Sequence, residues 1–285
     1  MTIQREADAM NKGAWCAAFG ASLLAIAGTL AGCMTDGSNS DVKFVPTGAE
    51  AGMSLAAAKR TIQYEARKYH SDGAADHKQE AVHFEPTQWL FTYYDPSTNK
   101  KGVYGGCEYE KYEPDIYKYL AGDRFSVFPK KNGPCTLPSF AIFSEARAQD
   151  VATAMQRWRI STPEERAAFF AAETSVTPAM VDSYARVRAS QAIPEEARRY
   201  RVLADAAIRE KRFPDAANAY EDALDVAPWW GQGHFNAALV LAEIYYYRDA
   251  INHMRKYLAL TPGASDARQV QDKIYEWENV LRSKT

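Results

Sequence analysis

The spacing of apolar residues changes character several times along the chain. Residues 13–33 form a charge-free run rich in Ala, Leu and Gly. A polar stretch follows, residues 34–46 with Gly37, Ser38, Asn39 and Ser40, whose composition suits a flexible tether. Leu55, Ala58, Ile62 and Ala66 then recur at intervals of three and four, which predicts an amphipathic helix with Ser54 as its N-cap. The polar tract 70–78 reads as a loop. Between Ala81 and Phe143 the pattern turns to short runs rich in aromatic and β-branched residues: Gln88-Trp-Leu-Phe-Thr-Tyr-Tyr94, Arg124-Phe-Ser-Val-Phe128 and Ser139-Phe-Ala-Ile-Phe143. Asp95-Pro96-Ser97, Gly105-Gly106 and Asn132-Gly133-Pro134 separate them as turn signals, so a small, mostly antiparallel sheet is expected.

Ser144 opens a further helix, with Ala148, Val151, Met155 and Trp158 on one stripe. Thr162-Pro163 and Thr177-Pro178 each read as a capping residue followed by proline at the first helical position. From there to the end the pattern is helical throughout. The expected fold class is therefore α+β, a small antiparallel sheet domain with flanking helices, followed by an all-α array. The boundaries read as a leader over 1–32, a tether over 33–50, an α+β domain over 51–160, linking or capping helices over 161–194 and a helical array over 195–285.

Composition narrows the function classes. The 285 residues carry 34 basic and 36 acidic side chains, a formal net charge of -2. Nothing in that balance attracts a phosphate backbone, so no nucleic-acid partner is expected. Leu30-Ala31-Gly32-Cys33 closes the first apolar run and resembles the lipobox of bacterial lipoproteins. That resemblance implies cleavage before Cys33, a diacylglyceryl group on its thiol and acylation of the new amino terminus. It places the protein on the cell envelope, attached to the membrane through Cys33. With Met34 and no aspartate after the cysteine, outer-membrane sorting facing the periplasm follows if the host is Gram-negative. Cys107 and Cys135 would remain in a compartment that permits disulfides. A bond between them closes a loop of about 28 residues and contributes roughly 3 kcal/mol in the chain-entropy model; two free buried thiols are the alternative.

An internal period supplies the second resemblance. Phe213-Pro-Asp-Ala-Ala-Asn-Ala-Tyr-Glu-Asp-Ala-Leu-Asp-Val-Ala-Pro228 aligns with Tyr247-Arg-Asp-Ala-Ile-Asn-His-Met-Arg-Lys-Tyr-Leu-Ala-Leu-Thr-Pro262, 34 residues on. This is similar to the tetratricopeptide repeat (TPR). Ala216 and Ala250 fall where that family needs a small residue between paired helices, while Tyr257 stands where a small side chain is usual. Val270, Ile274, Trp277 and Val280 look like a terminal capping helix. The resemblance implies a ligand surface on the concave face, along the first helix of each repeat: Arg198, Arg201 and Asp205, then Gln232, Phe235 and Leu239. A protein or peptide partner is expected there. The order helix, strands, closing helix also resembles small bacterial PH-like domains.

Candidate chemistry is sparse. His70, His77 and His83 lie in and beside a polar loop, without metal-ligand geometry in their spacing, and read as surface residues. No HExxH, GxSxG, Walker A or GxGxxG motif is present. Gly102-Val-Tyr-Gly-Gly106 reads as a turn. Neither a cofactor, a metal nor a catalytic residue is expected. Tyr93, Tyr94, Tyr104, Tyr109, Tyr112, Tyr117 and Tyr119 cluster in the α+β segment, where they suit either a half-buried sheet or a surface for a glycan, lipid or peptide. Two readings result: a non-enzymatic interaction adaptor or assembly factor working through the repeats, or a ligand-binding module centred on the tyrosine-rich domain.

Overall fold

A computed structural model describes residues 44–71, 79–95, 100–118, 125–131, 140–142, 144–190 and 192–282. These all fall within one unit, Asp36–Thr285. Cys33 and Cys135 lie outside the described residues, and so do the tether up to residue 43, His77, Tyr119 and the Asn132-Gly133-Pro134 turn.

The first helix, α1 (Leu55–Ser71), forms as its apolar spacing predicts, with the Ser54 hydroxyl accepting from the Ala57 amide at 3.1 Å. Leu55, Ala58, Ile62 and Ala66 are all buried. Six described strands follow: β1 (Gln79–Phe84), β2 (Gln88–Asp95), β3 (Lys100–Glu108), β4 (Tyr112–Lys118), β5 (Phe125–Lys131) and β6 (Phe140–Ile142). Instead of one sheet they make two antiparallel three-stranded meanders, β1-β2-β3 and β4-β5-β6. The chain breaks between them at a 3-10 turn, Tyr109–Lys111, where buried Tyr109 donates its hydroxyl to the Glu85 carbonyl at 2.6 Å. Gly105 and Gly106 are not a turn: they lie inside β3, opposite Phe91 and Leu90, where the register of β2 slips at Phe91/Thr92. Glycine in a strand marks such an irregularity as readily as a turn. The Gly102–Gly106 stretch is therefore strand. α2 (Glu145–Arg159) closes the domain, capped by Ser144. Its Trp158 meets Phe84, Tyr109 and Phe169 with ring centroids 4.7, 5.1 and 5.4 Å away.

The remaining helices are α3 (Pro163–Thr174), α4 (Pro178–Ser190), α5 (Glu195–Arg209), α6 (Phe213–Val226), α7 (Gly231–Glu243), α8 (Tyr247–Leu260) and α9 (Ala267–Arg282). The 34-residue period is written into the backbone. Lys211 and Tyr245, one period apart, both adopt a left-handed conformation, φ 58° and 68°. Around them the same two bonds recur, Lys211 and Arg212 amides to Ile208 and Ala207 carbonyls, then Tyr245 and Tyr246 amides to Ala242 and Leu241. Ala216 and Ala250 are fully buried where the helix pairs meet. Tyr257, the large residue at a small position, donates its hydroxyl to Asp266 at 2.8 Å and packs on Phe235. α9 covers α8 with Val270, Ile274 and Trp277. The fold is thus α+β joined to a helical array, with two separate apolar cores.

Candidate functional site

The two cores meet across a polar seam. On α1, Lys59, Gln63 and Arg67 recur every fourth residue along one flank of the helix, and all three are buried. Asp249 of α8 is the hub of the seam: it accepts from Lys59 Nζ at 2.6 Å and from Gln63 Nε2 at 3.0 Å. Lys59 also pairs with Glu173 of α3. Arg67 reaches Glu221 and Asn218 of α6 at 2.7 and 3.2 Å, and Arg60 pairs with Glu221 and Asp222 at 2.6 and 2.5 Å. Although burial opposes it, the Asp249 and Glu173 carboxylates hold the Lys59 ammonium above the ordinary lysine range. Burial likewise opposes ionisation of Asp249, but Lys59 and then Arg67 hold its carboxyl well below the usual range.

The β1 strand joins the seam through its alternation. Val82 and Phe84 belong to the α+β core, whereas Ala81 packs into the array. His83 is buried beside Tyr246, with ring centroids 5.6 Å apart, and is not a surface residue. Its strand position gives it a face inside the molecule, which spacing among histidines does not disclose. Tyr246 accepts the Val82 amide at 3.2 Å, and Arg248 pairs with Glu85 at 2.6 Å.

All of these contacts fall on α3, on the second helix of each hairpin, α6 and α8, or on the Tyr246 turn. The six residues predicted on the first helices lie elsewhere, and none takes part in those bonds. Arg198 is exposed, its guanidinium on Glu195 of its own helix at 2.5 and 2.7 Å. Gln232 is exposed and donates to Asn236 at 3.1 Å, and Leu239 is 39% exposed. The other three are half-buried. Asp205 accepts the Tyr220 hydroxyl at 2.8 Å, Phe235 packs on Tyr257 at 5.1 Å between centroids, and Arg201 has a buried Nε without a partner. Asp205 and Phe235 are thus engaged in holding the array together. Arg198, Gln232 and Leu239 are exposed and bonded, where they are bonded at all, only within their own helix. Val202 and Leu203, at the leading edge of α5, are also exposed, because α4 lies against α8 rather than over α5.

Comparison with known proteins found no family model, no curated protein and no solved structure that matches the chain.

Sequence reasoning missed a cleft of about 540 Å³ between α1, α4 and the second-helix side of the array. It opens beside exposed Ala56, Ala57 and Asp225, and its floor holds Lys59, Glu173, His253 and Lys256. His234 and His253 meet Nδ1 to Nδ1 at 2.8 Å, and His234 Nε2 lies 3.0 Å from the Pro228 carbonyl. Burial depresses both imidazoles, His234 down to about 4, and both rings are neutral near pH 7. A carbonyl only accepts, so the His234 proton sits on Nε2. Its Nδ1 then accepts from His253 Nδ1–H, which leaves the His253 Nε2 lone pair free. These histidines are 19 residues apart on different helices, and no spacing rule would join them. Among the described residues no three His, Cys, Asp or Glu side chains converge as a metal site requires, and no helix is long and apolar enough to cross a membrane. Tyr109, one of the tyrosine cluster, is a core residue, and Cys107 lies on β3 opposite Trp89. The partner cysteine of the expected disulfide is not among the described residues.

Proposed function

We propose that this is a lipid-anchored envelope protein, held by a diacylglyceryl group on Cys33, whose TPR-like array recruits a protein or peptide partner without catalysis. In a Gram-negative host it faces the periplasm from the outer membrane. One observation carries the reading: the α+β part is docked on the second helices, so the first-helix face stays open. Among the described residues, none of the first-helix side chains takes part in the bonds to the α+β part, which fall on Glu173, Asn218, Glu221, Asp222, Tyr246, Arg248 and Asp249. Arg198, Gln232 and Leu239 offer a charged, a polar and an apolar contact on neighbouring helices, as peptide-binding helical surfaces do. The two strand meanders closed by α2 support a PH-like brace beneath the array.

The test is capture of partners from detergent-solubilised envelopes by full-length protein. Leu239→Asp with Arg198→Glu is expected to lose a partner that the unaltered protein retains. Asp182→Lys, an exposed change on α4, is expected to keep it. Equal capture by all three proteins would contradict the proposal. Phe235→Ala is a poor probe, because it also removes packing on Tyr257.

A further inference from the structure

The cleft on the second-helix side contains polar groups that the protein itself leaves unpaired. Glu173 Oε1 pairs with Lys59, but its Oε2 is buried without a hydrogen-bond partner. The Lys256 ammonium lines the cleft and makes no hydrogen bond or ion pair, unlike Lys59 and Arg60 beside it. His253 Nε2 is a bare acceptor, as the proton order along Pro228, His234 and His253 requires. One free cationic donor therefore stands among two free acceptors, one of them anionic. A wall formed by Ala56, Ala57, Met180, Leu224 and Pro228 is apolar.

We propose that this cleft binds a small zwitterion carrying both a free amino group and a carboxylate, such as an amino acid or dipeptide with apolar side chains. The carboxylate would meet Lys256, and the ammonium, with three donors, would meet Glu173 Oε2 and His253 Nε2. Charge selects this class over its neighbours. A simple anion would enter beside Glu173, Glu221, Asp225 and Asp249, and a simple cation beside Lys59, Arg60 and Lys256. A neutral sugar could form the hydrogen bonds but would leave the Lys256 ammonium without an anionic partner. The volume lies within the range of small-molecule sites. The site is independent of the partner surface, since it lies on the other side of the array.

Titration calorimetry on the full-length protein in detergent tests it, with L-leucine and leucyl-leucine as probes. N-acetyl-leucine keeps only the carboxylate, leucinamide only the amine, and glucose neither. Saturable binding of either zwitterion is expected, weakened at least about tenfold when one charge is blocked, the effect of losing one charged hydrogen bond. Lys256→Met should weaken the zwitterions by a similar factor and leave leucinamide no weaker, since a like charge is removed, a split that general misfolding would not produce. No zwitterion binding up to ~10 mM, or equally tight binding of a blocked form or of glucose, would overturn the proposal. So would an unchanged zwitterion affinity in Lys256→Met. The probe series on the unaltered protein decides the question even where the variant fails to fold.

Discussion

The two sides of the helical array are built from the same repeat and have opposite chemistry. On the second-helix side, buried Asp249 and Asn218 and half-buried Glu221 meet Lys59, Arg60, Gln63 and Arg67 of α1, in a network that crosses from one apolar core to the other. On the first-helix side, hydrogen bonds stay local: Arg198 to Glu195, Gln232 to Asn236, Tyr220 to Asp205. Buried ion pairs add little net stability over apolar packing, because desolvation offsets most of the attraction, but breaking one strands its partner in the interior. The seam therefore fixes which face of the array the α+β part occupies. The face left over is the one to which the proposed partner contact is assigned.

The comparison is sharpest at two aspartates one period apart. Asp215 and Asp249 occupy the same repeat position, yet Asp215 pairs with Arg212 near the surface while Asp249 lies in the seam. Asp249→Ala leaves Lys59, 7% exposed, with only Glu173, and is expected to cost about 3 kcal/mol in urea unfolding. Asp215→Ala is expected to shift the midpoint far less. Equal shifts would mean that the seam contributes nothing particular.

The histidine pair gives the next effect. Both rings titrate below the ordinary imidazole value in the fold, His234 at about 4 against 6.5. Between those values the unfolded chain takes up protons that the native chain refuses, so stability is lost as pH falls through that window and regained as it rises. For His234 the linkage is on the order of 3 kcal/mol. Urea midpoints measured across the window should fall with acidification, and replacing both histidines by leucine should flatten the dependence. Asp249 adds a loss of the same sign further into acid, below the ordinary carboxylate range, as its charge is removed. The smallest effect belongs to the open face: Leu239→Asp is expected to change stability by less than about 0.5 kcal/mol, as an exposed change away from any network does.

Much of this fold is legible in sequence because packing is periodic. Leu55, Ala58, Ile62 and Ala66 announce α1, Ser144 and Thr162 announce helix starts, and Ala216 with Ala250 announces the helix pairs. The seam was not legible. Lys59, Gln63 and Arg67 look like the solvated stripe of an amphipathic helix, since a polar face pairing with distant carboxylates has the same local pattern as one facing water. Nothing within the repeat separates Asp249 from Asp215; only the docking of α1 does. The strand glycines 105 and 106 misled for a related reason, because a bulge and a turn draw on the same residue type. On the candidate surface, Arg198, Gln232 and Leu239 follow from the resemblance to the tetratricopeptide repeat, which assigns them to the first helices. That Asp205 and Phe235 are held by Tyr220 and Tyr257 needed the tertiary structure.

The most direct test of the central claim is photo-crosslinking in intact envelopes, with benzoylphenylalanine placed either at Leu239 on the first-helix face or at Ala57 on the rim of the second-helix cleft. A discrete adduct with another protein is expected from position 239 and none from position 57. Adducts from position 57 alone, equal adducts from both, or none from position 239 would contradict the account.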